Sequence, residues 1–138
     1  MIWNVPDWRG LPSNLRVLAV AVQSDNSLGE WMQALVDYVR SGEPDLTNRQ
    51  MALLLVVYLK PGPHTVRGLA GMLNVSKPVV TRALNRLGTL GYLRRQRDDN
   101  DKRNIFVART SEGAGFLEDF GQFIGGGTPQ PVARRATA

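Results

Sequence analysis

The chain has 138 residues, enough for one domain with its own hydrophobic core. Its formal net charge is +5, and 43% of its residues are hydrophobic and 21% charged, which is ordinary for a globular protein. Because the sequence contains no cysteine, it excludes disulfides, thiolate metal sites and cysteine nucleophiles. No run approaches the roughly 18 apolar residues of a membrane span. The apolar segment near the N-terminus, residues 15–22, is also too short for a signal peptide. We therefore expect a cytoplasmic protein with no membrane partner.

The positive charge is concentrated in one part of the chain. Residues 60–109 hold eleven Lys and Arg against three Asp, a net charge of +8, and the rest of the chain has a net charge of −3. A surface that binds a polyanion needs this concentration, because neutralising phosphates releases counterions. The alternative interpretation is a solvated basic face without a partner.

Residues 1–27 predict an N-terminal arm. Trp3 and Trp8 lie among prolines and a glycine, which favours extended backbone, and the apolar run 15–22 fits a strand or a helix equally well. Two tryptophans on an arm indicate that it packs against something. That partner is either the chain's own domain or a second subunit.

Two helices are predicted next. The first spans residues 28–40, with Asn26 or Ser27 as its cap, and its apolar face belongs to the core or to an interface. That face consists of Trp31, Leu35, Tyr38 and Val39. The second begins at a capping box made by Thr47 and Gln50 and runs to residue 59 or 60. It is apolar nearly all round, which predicts a central buried helix.

A helix-turn-helix follows a proline-rich turn at residues 61–64. The only histidine, His64, lies in this turn, and we interpret it as solvated or locally hydrogen-bonded rather than as a ligand. Thr65 caps the first helix of the pair, and Ser76 caps the second, with Pro78 tolerated in its first turn.

The second helix of this pair has two chemically different faces. Val80, Leu84, Leu87 and Gly91 recur at helical spacing and predict the buried stripe, flanked by Ala83 and Leu90. The opposite face carries hydroxyl, amide and guanidinium groups, as recognition of bases in the DNA major groove requires. Arg82 can pair with guanine, Asn85 with adenine, and Val79 can contact a thymine methyl group. The alternative is an ordinary solvated face, but no acidic residue lies between Arg67 and Arg97.

A basic hairpin, the wing, comes next, with predicted strands at residues 92–97 and 105–110 and a tip at residues 98–104. Three aspartates lie in the tip. We expect Asp101 to accept hydrogen bonds from nearby backbone or from an arginine and so to fix the tip. Lys102 or Arg103 is then free to enter the minor groove, where narrow A·T tracts attract arginine. The predicted fold class is mainly α with a small β-wing (α+β), a winged helix-turn-helix.

The last predicted helix covers residues 112–124, with Ser111 as its cap. Residues 125–138 have a composition that cannot build a core and are predicted to be a disordered tail. The expected organisation is therefore an arm at 1–27, a DNA-binding domain at 28–124 and the tail. Apolar side chains on either side of the DNA-binding unit predict a dimer interface. These side chains are Trp3, Trp8, Trp31, Phe116, Phe120 and Phe123.

The span 46–120 resembles the MarR family of bacterial transcriptional regulators. The matching positions before the recognition helix are Leu46, Thr47 and Gln50 at the opening of a helix, and Leu69, Ala70, Leu73, Val75 and Ser76 in the first half of the motif. Those in the recognition helix are Lys77, Pro78, Val80, Thr81, Arg82, Leu84, Arg86 and Leu87. The wing matches at Gly91, Tyr92, Leu93, Asp98, Asp101, Lys102 and Arg103, and the segment after it at Thr110 and Gly113. The resemblance implies a homodimer on a pseudo-palindromic site in double-stranded DNA. It also implies release of DNA when a small aromatic or phenolic effector binds between the dimer and DNA-binding regions.

The hypothesis that follows is a sequence-specific DNA-binding transcriptional regulator, a repressor acting as a homodimer on the nucleoid. The predicted DNA-binding residues are Thr65, Arg67, Ser76, Lys77, Pro78, Val79, Thr81, Arg82, Asn85, Arg86, Arg97, Asp101, Lys102 and Arg103. Two alternatives stay open: a winged-helix module for protein–protein interaction, and a replication or phage accessory DNA-binding protein. We expect no enzyme activity, no catalytic residues, no cofactor and no metal, because there is one histidine, no glycine-rich phosphate loop, and the wing aspartates lie in a hairpin tip.

Overall fold

Helices and short strands make up most of the described part of the chain, which comprises residues 10, 12–14 and 26–124 of a computed structural model. The elements in chain order are α1 (Asn26–Arg40), α2 (Asn48–Leu59), β1 (His64–Thr65), α3 (Val66–Leu73), α4 (Lys77–Thr89), β2 (Leu93–Arg97), β3 (Ile105–Arg109) and α5 (Ser111–Ile124). The predicted mainly helical class with a small β-wing is confirmed. Nearly all of the predicted arm, and the whole of the tail, lie outside the described residues. None of the helices described is long and apolar enough to cross a membrane.

Two of the predicted helix caps are confirmed. In the capping box at the start of α2, Gln50 N donates to Thr47 Oγ1 at 3.2 Å, and Thr47 N donates to Gln50 Oε1 at 3.0 Å. At the start of α3, Gly68 N donates to Thr65 Oγ1 at 3.0 Å. Both contacts are local in sequence, which is why the residue pattern alone could specify them.

The other cap predictions need correction. Ser76 is at the N-cap position of α4, but its side chain makes no capping hydrogen bond. At the last helix the cap is Thr110 rather than Ser111, since Gly113 N donates to Thr110 Oγ1 at 3.0 Å. Asn26 and Ser27 already belong to α1, so that helix begins earlier than predicted.

The core forms around α2 and α4. The predicted stripe of α4 is buried at Val80, Leu84 and Leu87, and so is the flanking Ala83, whereas Gly91 lies beyond the end of the helix and is half-buried. The stripe packs with Leu53, Leu54 and Val57 of α2 and with Leu69 and Ala70 of α3. The prediction of a buried central helix holds for one side of α2, while Leu59 at its end is exposed. Burying these aliphatic side chains fixes which face of α4 remains in solvent.

A second, aromatic part of the core joins α1 to α5. Tyr38 lies edge-on to Phe116 and Phe120, with ring centroids 6.0 and 5.5 Å apart, and Phe116 stacks on Tyr92 at 4.5 Å. Phe116, Phe120 and Phe123 are at most 6% exposed. The three phenylalanines, predicted to lie at a dimer interface, are thus buried in the core of this chain, where Tyr38 of α1 packs against them. A role for these rings in a dimer stays a prediction.

The sheet has three antiparallel strands in the order β1–β3–β2. The wing strands pair from Leu93 opposite Arg109 to Arg97 opposite Ile105. Each is one residue shorter at its base than predicted. The sequence analysis did not predict β1. This strand pairs His64 with Val107, which follows the helix-turn-helix in sequence, and it places the start of α3 beside the wing.

Each helix of the helix-turn-helix is followed by a residue with left-handed backbone. Asn74 ends α3 at a φ of 52°, and Gly91 follows α4 at a φ of 79°. After Gly91 the chain reverses, and Tyr92 N donates back to Leu87 O at 2.9 Å, a helix-ending bond that requires this backbone conformation. A Cβ at Gly91 would also overlap the Glu112 carboxylate, so both conformation and space favour glycine.

Candidate nucleic-acid interface

The first turns of α3 and α4 meet the wing tip across a concave groove of about 530 Å³. Its lining residues are Thr65, Val66, Arg67, Lys77, Thr81, Asp101, Arg103, Asn104 and Ile105. Six of the predicted DNA-binding residues are among them. Two of the three sequence segments are joined by β1, which pairs with β3 and so links the start of α3 to the base of the tip.

The solvent face of α4 carries the predicted recognition side chains. Lys77, Pro78, Arg82, Asn85 and Arg86 are exposed, and so is Ser76 before the helix, while Val79 and Thr81 are half-buried. Proline occupies one of the first two positions, where no intrahelical donor is lost. The N-terminal end of α4 lies at the groove. The exposed face of this helix carries hydroxyl, amide and guanidinium groups, and the helix contains no carboxylate.

Two of the three aspartates of the wing tip, Asp98 and Asp101, accept hydrogen bonds within the tip. Asp101 Oδ1 accepts the backbone N–H of Arg103 at 3.0 Å, and Asn104 N donates to Asp101 O at 2.9 Å. At the strand end, Asp98 Oδ1 accepts the N–H of Asn100 at 2.9 Å. The expectation that Asp101 bonds to nearby backbone is confirmed. The side chains of Lys102 and Arg103 are exposed beside it.

On the α3 side of the groove, Thr65 caps the helix and Arg67 is exposed. Thr65 is half-buried, and its hydroxyl oxygen already accepts the capping bond from Gly68 N. Arg67, in the first turn of α3, is exposed. Of the predicted wing cations, Arg97 is exposed at the end of β2. The Thr65 hydroxyl still has its proton to donate to a phosphate oxygen, and the two exposed arginines can also contact phosphate.

One contact in this surface was not predicted. Arg95 of β2 donates from Nη2 to Asn85 Oδ1 of α4 at 2.7 Å. The two residues are ten positions apart and belong to different elements, so no local sequence pattern pairs them. The run of arginines at positions 94, 95 and 97 was the only available signal.

Not every basic residue of the 60–109 region serves this surface. Arg109 Nε donates to Val57 O at 2.8 Å, and its Nη2 donates to Lys60 O at 3.1 Å. Its guanidinium also lies 5.8 Å from the centroid of the Tyr58 ring. Arg109 therefore satisfies carbonyls at the C-terminal end of α2, where a positive charge is favourable.

The base of the wing is hydrogen-bonded to α2 through Tyr58. The Tyr58 hydroxyl accepts the N–H of Thr110 at 2.8 Å, and it lies 2.9 Å from the carbonyl oxygens of both Tyr92 and Thr110. A Cβ at Gly113 would overlap this hydroxyl, so α5 approaches closely only because position 113 is glycine. The hydroxyl of one side chain thus lies within hydrogen-bonding distance of both the beginning and the end of the hairpin.

The remaining predicted residues lie elsewhere. His64 Nε2 is 3.0 Å from Lys60 O, a local hydrogen bond as interpreted from the sequence. Trp31 is exposed on α1, together with other apolar side chains of that helix, whereas Trp3 and Trp8 lie outside the described residues. Within the described ranges, no group of three or more His, Asp or Glu side chains is placed to hold a metal ion.

A helix-turn-helix with an exposed cationic second helix, followed by an arginine-rich hairpin, defines the winged helix-turn-helix class of DNA-binding proteins. A model of the MarR family matches residues 45–104. The multiple antibiotic resistance protein MarR of Escherichia coli (strain K12) is 34% identical over 128 residues, which cover 93% of this chain and 82% of that protein. The chain belongs to the MarR family and is a DNA-binding transcriptional regulator.

Two further comparisons agree with this assignment. The uncharacterized HTH-type transcriptional regulator YwhA of Bacillus subtilis (strain 168) is 23% identical over 94 residues, 68% of each chain. The crystal structure of the YusO protein from Bacillus subtilis superposes with a TM-score of 0.64 at 20% identity, covering 81% of this chain and 76% of that one. At this identity the structural likeness shows the fold alone.

Proposed function

We propose that the protein is a repressor that binds a pseudo-palindromic site in double-stranded DNA as a homodimer, in the cytoplasm and on the nucleoid. The observation that carries the proposal is the groove between α3, α4 and the wing tip. It brings Arg67, Lys77 and Arg103 together, and its one carboxylate, Asp101, is bonded to the backbone of the tip. Cations that converge on a concave surface can neutralise the phosphates of a DNA backbone and release their counterions.

In the proposed complex, α4 lies in the major groove and the wing tip contacts the adjacent minor groove. Arg82 recognises a base edge because it is exposed in the second turn of α4, away from the buried stripe. Lys77, Arg86 and Arg97 neutralise phosphates and so set the register without specifying sequence. Arg103 enters the minor groove, and the hydrogen bond from its backbone to Asp101 holds the tip in place for that contact.

The apolar surface of α1 supports the proposed homodimer. Tyr38 and Ala34 of this helix are in the core, while its other side leaves six large apolar side chains 40–71% exposed. These are Leu28, Trp31, Met32, Leu35, Val36 and Val39. A continuous apolar face of this kind marks an interaction surface. We assign it to the second subunit, together with the N-terminal arm, because two subunits are needed to span half-sites about one DNA turn apart.

The proposal extends to an effector of the small aromatic or phenolic class, which binds between the dimer and DNA-binding regions and releases DNA. A thermal-shift screen of phenols and aromatic acids, followed by DNA-release assays on each hit, tests this part separately. A ligand that raises the melting temperature without weakening DNA binding would contradict it.

The main test is a binding measurement on selected and random duplexes. Selection from a randomised library gives the preferred site, and fluorescence anisotropy then gives affinities at several salt concentrations. Specific binding should exceed random binding by about 10³-fold or more. Arg82→Ala should remove much of this difference. Arg40→Ala removes the same charge from the end of α1, outside the groove, and is the matched control. Equal affinity for both duplexes would contradict the proposal, and no DNA binding at all would favour a protein-docking role.

A further inference from the structure

Arg95, in the wing, is hydrogen-bonded to Asn85 on the exposed face of α4. Arg95 Nη2 donates to Asn85 Oδ1 at 2.7 Å. Leu93 of the same strand is buried, and side chains two positions apart on a strand share a face, so Arg95 lies on the face of β2 that meets α4. Arg94, the adjacent arginine, lies on the opposite face. Both arginines are exposed, so they differ in the face of β2 to which they point and not in how far they are buried.

The chemistry of this contact fixes the orientation of the Asn85 carboxamide. A guanidinium group has only donors, so the amide atom that faces Arg95 must be the oxygen. If the amide were rotated by 180°, the Nδ2 hydrogens of Asn85 would face the N–H groups of Arg95, and no hydrogen bond could form. The Nδ2 group and its two hydrogens are therefore directed away from Arg95. A carboxamide without such a partner would be free to offer either end.

We propose that Arg95 is a positioning residue that determines which base Asn85 recognises. This inference rests on the proposed function and deepens it. With Oδ1 bonded to Arg95, Asn85 offers mainly donors to the major groove. Guanine presents two acceptors there, N7 and O6, whereas a bidentate contact with adenine needs one donor and one acceptor. The pair of Arg95 and Asn85 therefore favours guanine, in place of the adenine expected for Asn85 alone.

Selection from a randomised duplex library tests this assignment. The wild type, Arg95→Ala, Asn85→Ala and the double variant are compared base pair by base pair. We expect guanine at one position in the wild-type site, and a loss of that preference of about tenfold in Arg95→Ala, the effect of one hydrogen bond to a charged group. Asn85→Ala should remove the base preference at the same position. In that background Arg95→Ala should change the base preference no further, because Arg95 acts through Asn85.

Arg94→Ala is the matched control, since it removes an equal charge from the neighbouring position on the other face of β2. It should leave the preference at every base pair unchanged. If Arg95→Ala instead weakens binding equally on all sequences, Arg95 is a phosphate contact and the inference is wrong. A wild-type preference for adenine at the position that Asn85→Ala flattens would also overturn it.

A measurement without DNA separates this inference from the proposed function. The side-chain NH₂ of Asn85 can be followed by NMR relaxation in the free protein, where its motion should increase in Arg95→Ala and not in Arg94→Ala. Unchanged motion in Arg95→Ala would refute the positioning role whatever the DNA results are. A wild type that selects no sequence, but shows the expected change in motion, would refute the proposed function and leave the contact itself established.

Discussion

Replacing Tyr58 by phenylalanine removes one oxygen atom from the point where α2, the wing and α5 meet. The hydroxyl accepts the N–H of Thr110 at 2.8 Å and donates its single proton to one of two carbonyls at 2.9 Å, those of Tyr92 and Thr110. The variant therefore loses two hydrogen bonds and leaves the N–H of Thr110 without this partner. At about 1 kcal/mol for each bond, plus part of the cost of an unpaired donor, we expect a loss of about 2–3 kcal/mol.

Tyr38→Phe is the matched control, because it makes the same chemical change at a hydroxyl that donates to a single carbonyl, Pro44 O, and lies near the backbone of Leu46. It should cost about 1 kcal/mol. Both free energies of unfolding can be measured by urea denaturation followed by circular dichroism, at one fixed protein concentration because a dimer makes stability concentration-dependent. The melting temperature should fall by about 4 °C for each kcal/mol. Equal losses in the two variants, within about 0.5 kcal/mol, would refute the role of Tyr58 as a shared hydrogen-bonding partner.

Four other outcomes are expected. Arg82→Ala should cost about 1–3 kcal/mol on the selected site and far less on random DNA in anisotropy titrations, and equal losses would show a phosphate contact only. Asp101→Ala should weaken DNA binding although it removes a negative charge, because the bond that holds the backbone of Arg103 is lost; tighter binding would contradict this role. Burial, followed by nearby carboxylates, raises the pKa of Tyr92 from 10.0 to about 12. The neutral phenol thus stabilises the fold fully below pH 10, and this stability is lost as the pH rises towards 12. Urea titrations at pH 9 and 11 should show a smaller decline in Tyr92→Phe than in the wild type. Deleting residues 1–27 should give a monomer or an aggregating protein by light scattering, whereas deleting 126–138 should change the oligomeric state little; a folded dimer without the arm would exclude the arm as the dimer element.

Local chemistry explains which parts of the fold were predictable. The capping box of Thr47 and Gln50 needs only residues three positions apart, and so does the cap made by Thr65. The buried stripe of α4 follows from helical spacing within one element. Such contacts are complete within a few residues, so the sequence pattern already contains both partners.

The features that were missed depend on residues far apart in the chain. Arg109 looked like one more cation of the basic region, but its partners are carbonyls of α2 about fifty positions earlier. The strand β1 has only two residues, too few to show a period, and it forms only because β3 offers it an edge. The rings of α5 looked available for a partner subunit because the sequence does not show that Tyr38 covers them.

The bonds at the base of the wing have a consequence for the kind of DNA that the protein accepts. Tyr58 and Arg109 join both ends of the hairpin to α2, which packs in turn against α4. These bonds restrict how far the base of the wing can move relative to α4, and so they limit the distance between α4 and the tip. On the proposed mode of binding, a duplex fits when its minor groove narrows at the matching distance from the major groove. The protein would thus measure DNA shape at base pairs that none of its side chains contacts.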